Sequence, residues 1–360
     1  MDCALGAGVN IEPLRAPFPW FGGKSRAAPL IWEALGDVAN FVEPFAGSLA
    51  TLLARPHAPR VETVNDADGF LANFWRAVAT DPEAVARWTD WPVSECDLSA
   101  RHLWLVERRA ALTERLQVDP GYFDAKIAGW WVWGLCAWIG SGWCSGDGPW
   151  TSDGERWINR QLPHLNTAGQ GINRKLPHLN TAGRGINRQL PHLNNAGRGI
   201  NRKLPHLDGG GGRTLTVPDP AGLTEIAARL RRVRIVCGDW RRVLTDTVLR
   251  NSGGVAGVLL DPPYSDGFAA DGGAYSAGCA GTSIWGEVAA WAIEAARADP
   301  SLRIVLCGYE GSPGAPAWRA VPWKAHGGYG SGNGNSERET LWMSPACEDG
   351  KQTSLFGRSP

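Results

Sequence analysis

The chain has 360 residues, 43% of them hydrophobic, so it is long enough to bury a large core and to form more than one lobe. Its 36 basic and 36 acidic side chains give a formal net charge of zero, which excludes a uniformly basic nucleic-acid-binding protein. The first residues do not resemble a signal peptide, and the longest apolar stretch, IAGWWVWGLCAWIG, is too short to span a bilayer. These features predict a soluble, cytoplasmic protein.

The eight cysteines form no CxxC pair and show no zinc-binding spacing. Cys237 and Cys307 each end an apolar run, which is typical of small buried hydrophobic residues. We therefore predict a reducing environment and no structural metal.

Short apolar runs alternate with helical patterns along the chain. Leu71, Phe74, Trp75 and Val78 have the spacing of one helix face, and Asp81-Pro82 ends that helix. Further helices are predicted from a Ser25 cap to Leu35, with Gly36 as the stop, and over 99–117. Buried strands are predicted at 40–44, 61–64, 233–237, 255–260 and 302–307. The alternation predicts an α/β fold with a mostly parallel sheet.

The two groups of strands are separated by about 150 residues of different character, which predicts an inserted, largely helical and loop-rich lobe. The lobe ends in four copies of a 14-residue repeat at 158–213, which carry nine Lys or Arg and one Asp. This basic segment suits contact with phosphates, although duplication of a solvated surface loop explains it equally well. The repeat histidines follow from the duplication and do not indicate a metal site.

The stretch GVLLDPPYSDG ends an apolar run in Asp261-Pro262-Pro263-Tyr264. Ligands of open α/β sheets bind at the carboxyl ends of strands, where this stretch is predicted to lie. The prolines stiffen the backbone, so Asp261 and the Pro262 carbonyl become two acceptors for an exocyclic amino group. Tyr264 offers a face on which a planar base can stack. The pattern favours attack by an aromatic amine on an electrophile; a turn that merely closes the strand is the alternative.

Two N-terminal stretches indicate a nucleoside-binding site. PWFGGKS resembles the end of a phosphate loop, but Phe18 occupies the place of its first glycine, so we reject a nucleoside triphosphate site. Trp20 and Lys24 instead offer a stacking face and a cation. FVEPFAGS turns from a strand through Gly47 into a helix, so a ligand can approach the backbone and the helix N-terminus.

An acidic residue follows the second predicted strand. Asp66 lies 23 residues after Glu43, where an acidic side chain binds the ribose hydroxyls of a nucleoside cofactor. The alternative is that Asp66 caps the next helix, a role that Asp68 can equally fill.

Together, PWFGGK, EPFAG, VNDAD and DPPY resemble, in this order, the Dam-type DNA adenine-N6 methyltransferases. The resemblance covers about residues 15–80 and 230–345. In that family the first three elements hold S-adenosylmethionine, and the last holds the flipped adenine beside the sulfonium methyl. The resemblance implies a Rossmann-like methyltransferase core, S-adenosylmethionine as cofactor, and site-specific methylation of double-stranded DNA.

The resemblance also assigns residues. For the cofactor it implies Trp20, Lys24, Phe45, Gly47, Asp66, Asp261 and, from VCGDW, Asp239; for catalysis it implies Asp261, Pro262 and Tyr264. NSERETLWMSP resembles the closing strand region. The chain departs from the family at Ser48, where a second glycine is usual, and in the insertion, where the family's β-hairpin is replaced by WIGSGWCSGDGPW and the repeats.

Other activities use similar motifs. Cytosine-C5 methylation is excluded because the chain has no Pro-Cys nucleophile. Cytosine-N4 methylation uses the same amine chemistry, but usually with Ser in place of Asp261. An RNA guanine-N2 methyltransferase can also carry DPPY, though without the PWFGGK start. A non-catalytic DNA-binding module remains a further alternative, which failure to bind the cofactor would favour.

The predicted organisation follows from these assignments. Residues 1–80 and 231–345 form the two parts of the catalytic domain, 81–230 form the inserted target-recognition lobe, and 346–360 form a disordered tail. We expect a monomer or weak dimer, encoded by a prokaryote or a virus, with a cognate restriction endonuclease as a possible partner.

Overall fold

The computed structural model describes residues 14–18, 20, 22–138, 143–144, 150–152, 157–159, 220–250, 252–263, 284–312, 314–323 and 339–349. Its strands are β1 (Asn40–Glu43), β2 (Val61–Asp66), β3 (Trp150–Ser152), β4 (Trp157–Asn159), β5 (Val233–Cys237), β6 (Ala256–Leu260), β7 (Arg303–Tyr309), β8 (Arg319–Pro322) and β9 (Glu339–Met343). Its α-helices are α1 (Ala28–Leu35), α2 (Ala50–Leu53), α3 (Gly69–Thr80), α4 (Pro82–Thr89), α5 (Glu95–Val118), α6 (Ala125–Ala137), α7 (Pro220–Leu230), α8 (Asp246–Leu249) and α9 (Ile284–Ala298).

Seven strands form one mostly parallel sheet in the order β5-β2-β1-β6-β7-β9-β8, in which β9 runs antiparallel to both its neighbours. The predicted α/β class, with the sheet of a Rossmann-like methyltransferase core, is confirmed. From β1 the chain builds outward through β2 to β5, and then returns to place β6 on the other side of β1. The strand order therefore reverses between β1 and β6, and ligands of such sheets bind in the crevice at the carboxyl ends of the strands beside this point.

The central strands are buried on both faces, as their continuous apolar sequences predict. Successive side chains point to opposite faces, so Phe41 and Leu259 enter one hydrophobic cluster, whereas Val42 and Val258 enter the other. The first cluster is covered by residues of α1 and α3–α7, and the second by α9 and the short 3₁₀ helix Trp240–Val243. The sheet is therefore packed between two hydrophobic clusters, which fix the position of the carboxyl ends of its strands.

Helix α1 begins later than the sequence predicts. It starts at Ala28 with Ala27 as an N-cap that makes no side-chain hydrogen bond, so the predicted Ser25 cap is wrong. Pro29, within the first two positions, fixes a helical φ and needs no N–H partner there, and it sets the start without a polar cap. The predicted stop is correct, since Gly36 ends the helix with a φ of +62°.

The helices that follow β2 pack directly on the sheet domain. Helix α3 matches the predicted apolar stripe, and the predicted helix over 99–117 is α5, which starts earlier because the Ser94 hydroxyl caps it at the Asp97 amide. Arg76 of α3 donates to the carbonyls of Leu116 and Ile235, which links the end of α5 to strand β5. The helical start of the predicted lobe therefore shares the core of the sheet, while the repeats beyond Asn159 lie outside the described residues.

The last described residues are bonded to the sheet domain. The Glu348 amide donates to the Ala34 carbonyl, and the Glu348 carboxylate pairs with Arg303 at 2.6 Å. Residues 346–349 of the predicted tail are thus held against the sheet domain, and residues 350–360 lie outside the described residues. Over the parts of the chain that the structure describes, no helix combines the length and hydrophobicity that a membrane crossing requires.

A buried ion cluster fixes the return of the chain onto the sheet at α7. Glu62 of β2 accepts hydrogen bonds from Arg55 at 3.1 Å and from both terminal nitrogens of Arg229 at 2.6 and 2.8 Å. The Glu62 and Arg55 side chains are almost fully buried, and that of Arg229 is 10% exposed. Arg229 therefore depends on the Glu62 carboxylate for its charge balance, whereas Arg55 shares it with Asp37 at 3.4 Å.

We predict that Glu62→Gln lowers the free energy of unfolding by about 3–5 kcal/mol, because it leaves buried positive charge without its counter-ion. The matched control is Arg60→Ala, which removes an exposed pair with Asp37 and costs less than about 1 kcal/mol. Urea denaturation followed by circular dichroism measures both. Equal losses in the two variants would contradict the role assigned to Glu62.

Candidate active site

An ion pair between a buried lysine and a partly buried aspartate lies at the reversal point of the sheet. Asp261 follows the last residue of β6, and its Oδ2 lies 2.8 Å from the Lys24 Nζ. Lys24 also donates to the Gly22 carbonyl at 2.8 Å, and its ammonium lies 5.6 Å from the Trp323 ring centroid. The ion pair therefore joins the PWFGGK segment to the start of DPPY, two motifs that are more than 230 residues apart in the sequence.

Burial and nearby carboxylates set the charge of Lys24. Burial alone would lower the pKa of this ammonium, but the Asp261 carboxylate, with a contribution from Glu339, raises it above its ordinary value. Lys24 is therefore a permanent cation. It fixes the position of the Asp261 carboxylate and compensates its charge at the carboxyl edge of the sheet.

Glu43, the last residue of β1, is a second buried carboxyl group at this edge. Burial raises its pKa well above the usual range, and the neighbouring carboxylates of Asp261, Glu62 and Asp66 add to the effect. Glu43 Oε2 is buried, and no atom of the described residues forms a hydrogen bond with it. A protonated carboxyl group can donate a hydrogen bond as well as accept one, so Glu43 can form hydrogen bonds that the described residues do not supply.

The loop after β1 is a tight backbone turn. Gly47 has a φ of +48°, and a Cβ added there would lie 2.8 Å from the Trp20 Nε1, so the position requires glycine. Its carbonyl accepts from the Trp75 Nε1 at 2.9 Å. Leu49, with a φ of +54°, holds a left-handed conformation that is costly for a residue with a side chain.

The predicted role of the helix N-terminus in this loop is weakened by the structure. Helix α2 spans only Ala50–Leu53, a single turn, and so has little macrodipole to offer a ligand. A backbone amide of the loop contacts the sheet edge instead. The Gly47 amide donates to Asp66 Oδ2 at 2.9 Å.

Asp66 lies at the end of β2, as predicted. Its Oδ1 accepts from the Asp68 amide at 2.9 Å, so its two oxygens brace the Gly47 turn and the start of α3. Burial raises the pKa of Asp66 to about 7, although the backbone hydrogen bonds oppose the shift. The helix cap is Asp68, which accepts from the Phe70 amide at 2.8 Å, so the cap alternative for Asp66 does not hold.

The remaining predicted residues occupy different surroundings. The Phe45 ring is half-buried and lies 6.1 Å from the Trp240 ring, between the loops after β1 and β5. Asp239 is exposed, caps the 3₁₀ helix at the Arg241 amide and pairs with the Arg241 guanidinium. Pro262 is buried beside Asp261, and Tyr264 lies outside the described residues.

The structure thus brings Lys24 and Asp261 together, and separately Trp20, Gly47 and Asp66. Glu43 has no predicted role from the sequence, and neither Glu339 nor Trp323 was predicted to be a neighbour of Lys24. The position of Glu43 at the end of an apolar strand next to a turn was the available signal. No sequence signal placed Glu339 and Trp323 beside Lys24, because their positions depend on the antiparallel pairing of β9. No group of three or more potential metal ligands occurs among the described residues.

The N-terminal part of this site matches a known family. Residues 20–91 match the model of the D12 class N6 adenine-specific DNA methyltransferases, whereas no curated protein matches the chain. The matched range contains Trp20, Lys24, Phe45, Gly47 and Asp66, and it continues through α3 and α4. The resemblance to the Dam-type adenine methyltransferases is thereby confirmed over residues 20–91, where the chain is similar to the D12 class N6 adenine-specific DNA methyltransferases.

Proposed function

We propose that the protein transfers a methyl group from S-adenosylmethionine to N6 of an adenine flipped out of duplex DNA at a specific sequence. The observation that carries this proposal is the Lys24–Asp261 ion pair at the reversal point of the sheet. It joins the first and last of the four motifs, and it holds a carboxylate where ligands of such sheets bind. The match of residues 20–91 to adenine methyltransferases supports the choice of base and of DNA.

The described residues fit a nucleoside cofactor with a charged amino acid tail. Trp20 lies directly against Gly47, so only glycine fits at position 47. Asp66 supplies a carboxylate of the kind that accepts ribose hydroxyls. Glu43 Oε2, which has no hydrogen-bond partner among the described residues, offers a further polar contact. We assign Trp20, Phe45, Gly47 and Asp66 to cofactor binding, with exposed Asp239 as the outermost member.

Asp261 and the Pro262 carbonyl would hold the target amine. Each accepts one N–H of the exocyclic amino group, which localises the nitrogen lone pair and draws the group from planar towards tetrahedral. Lys24 pairs with the Asp261 carboxylate at 2.8 Å and holds it in place. Tyr264 would stack on the base, as the resemblance implies.

The chemical step needs no covalent enzyme intermediate. Bound S-adenosylmethionine would supply an electrophilic methyl group. The amino nitrogen would displace the methyl group from the sulfonium sulfur, so that a nitrogen–carbon bond replaces the sulfur–carbon bond, and the Asp261 carboxylate would accept the proton that the nitrogen releases. Positioning of the two reactants and exclusion of water by the buried surroundings would provide most of the catalysis.

The helices after β2 carry features that support contact with DNA. Helix α6 runs antiparallel to α3, because the Asp124 amide donates to Asn73 while Trp131 stacks on Phe70 nearer the start of α3. The later part of α6 therefore lies on the side of the candidate site. There the Arg101 guanidinium lies 4.2 Å from the centroid of Trp133.

An exposed indole extends this cation–aromatic cluster. Trp91, which is 46% exposed, lies 4.7 Å from the same guanidinium. Arg101 itself is buried beneath the rings, so the exposed Trp91 indole is the group that can reach a ligand, and exposed aromatic rings are typical of surfaces on which nucleic-acid bases stack. This supports the assignment of the segment after residue 80 to target recognition.

The proposal predicts that the purified protein transfers labelled methyl groups from S-adenosylmethionine to unmethylated genomic DNA, with N6-methyladenine as the product after digestion to nucleosides. Asp261→Asn keeps the shape of the side chain but removes its charge, and we expect a loss of about 100-fold or more in rate. Asp299→Asn, an exposed carboxylate bonded to Ser301 before β7, is the matched control and retains activity. N4-methylcytosine as product, or activity on RNA alone, would overturn the choice of substrate.

The pKa of Asp66 predicts a pH dependence of cofactor binding. Below pH about 7 the carboxyl group is protonated in the free protein, and only the ionised form is a full acceptor for ribose hydroxyls. We therefore expect the Kd of S-adenosylhomocysteine to rise about tenfold for each pH unit below 7 and to level off above it. Calorimetric titrations between about pH 5.5 and 8.5 measure this.

Two variants isolate the group responsible. Asp66→Asn removes the titrating carboxyl group and should bind more weakly with a flat pH profile. Asp68→Asn changes the neighbouring carboxyl group, whose pKa is also raised by burial, and should retain the slope. A wild-type Kd that does not change with pH would contradict the role of Asp66.

A further inference from the structure

The Asn65 side chain bridges two loops of the candidate site. This residue of β2 is 1% exposed, and its Nδ2 donates to the Pro44 carbonyl and to the Gly238 carbonyl, each at 3.0 Å. Pro44 follows β1 and Gly238 follows β5, the two strands that flank β2. One amide group thus spans three adjacent strands at their carboxyl ends.

The Asn65 side chain donates hydrogen bonds to two carbonyl groups that lie just beyond the paired parts of the strands. The pairing of β1 with β2 ends at Glu43, and that of β2 with β5 ends at Cys237, so Pro44 and Gly238 are the first residues beyond the paired strands. Backbone bonds reinforce the bridge on both sides, because the Ala46 amide donates to the Asn65 carbonyl and the Gly238 amide to the Asp66 carbonyl. The two loops are therefore held to β2 and, through Asn65, to each other.

Residues of the candidate cofactor site flank this bridge. Phe45 follows Pro44 directly and Gly47 lies two residues further on, Asp239 follows Gly238, and Asp66 is the next residue of β2. The Phe45 and Trp240 rings, one on each loop, lie 6.1 Å apart. The distance between the two loops sets the width of any slot between them.

We propose that Asn65 is a positioning residue of the cofactor site: by bonding the Pro44 and Gly238 carbonyls it fixes the spacing of the two loops, without contacting the cofactor itself. The inference rests on the proposed function, since it assumes that these loops bind S-adenosylmethionine. Loss of the bridge lets the loops separate, which weakens binding of the cofactor before it affects the chemical step.

The chain offers a closely matched control for a merely structural role. Asn40, the first residue of β1, is fully buried, and its Nδ2 also donates to two backbone carbonyls, of Val248 at 2.7 Å and of Leu249 at 3.0 Å. The Oδ1 of each asparagine is buried without a hydrogen-bond partner in the described part of the chain. Asn40 lies at the amino end of the strands and Asn65 at the carboxyl end, so they differ chiefly in their distance from the candidate site.

The test compares Asn65→Ala, the milder Asn65→Ser, and Asn40→Ala in the full-length protein. Thermal unfolding gives their stability, calorimetry gives the Kd of S-adenosylhomocysteine, and methyl transfer to DNA gives KM for S-adenosylmethionine and kcat. We expect similar losses of Tm in Asn65→Ala and Asn40→Ala. Binding and methyl transfer are measured at a temperature well below the Tm of each variant. We expect Kd and KM to rise about tenfold in the Asn65 variants alone, with kcat at saturating cofactor within about twofold of wild type.

Each outcome decides between the roles. If folded Asn65 variants bind with the wild-type Kd, or if Asn40→Ala weakens binding as much, Asn65 is structural and the inference is overturned. If Asn65→Ala does not fold, Asn65→Ser gives the same comparison. Failure of the wild-type protein itself to bind S-adenosylhomocysteine would instead refute the proposed function, and the inference with it.

Discussion

The reversal of strand order between β1 and β6 is the constraint on which the candidate site depends. It places the last residue of β1, Glu43, and the residue after β6, Asp261, on neighbouring strands at one edge of the sheet. Burying two acids so close together is unfavourable unless one is neutralised and the other is paired. The structure satisfies both conditions, because the pKa of Glu43 is raised by burial and Asp261 is paired with Lys24. The PWFGGK segment is thereby fixed to the edge of the sheet.

The same edge is connected to the helices that follow β2. Trp131 of α6 packs 6.3 Å from the Trp20 ring and against Phe18, Phe70 and Phe74. A change in the position of α6 would therefore reach a candidate cofactor residue through direct contacts between rings. This gives the proposed recognition helices a physical connection to the site.

Much of the fold was predictable because its signals are local. The apolar runs located five of the seven strands of the main sheet, and the stripe from Leu71 to Val78 located α3. The motifs correctly brought Lys24 and Asp261 to one site, although spacing alone does not reveal their ion pair. The prediction of Ser25 as the cap of α1 was wrong, because a proline in the first turn fixes the helix start without a polar cap. Glu339 and the bridging role of Asn65 depend on strand pairing across long sequence distances, and no local pattern encodes that.

The central claim is that this sheet edge binds S-adenosylmethionine with its reactive group facing Asp261. A crystal structure of the protein soaked with S-adenosylhomocysteine tests it most directly. The account predicts the nucleoside between the loops after β1 and β5, its ribose at Asp66, and its sulfur facing Asp261. A nucleoside bound elsewhere, or a ribose that makes no contact with Asp66, would contradict the account.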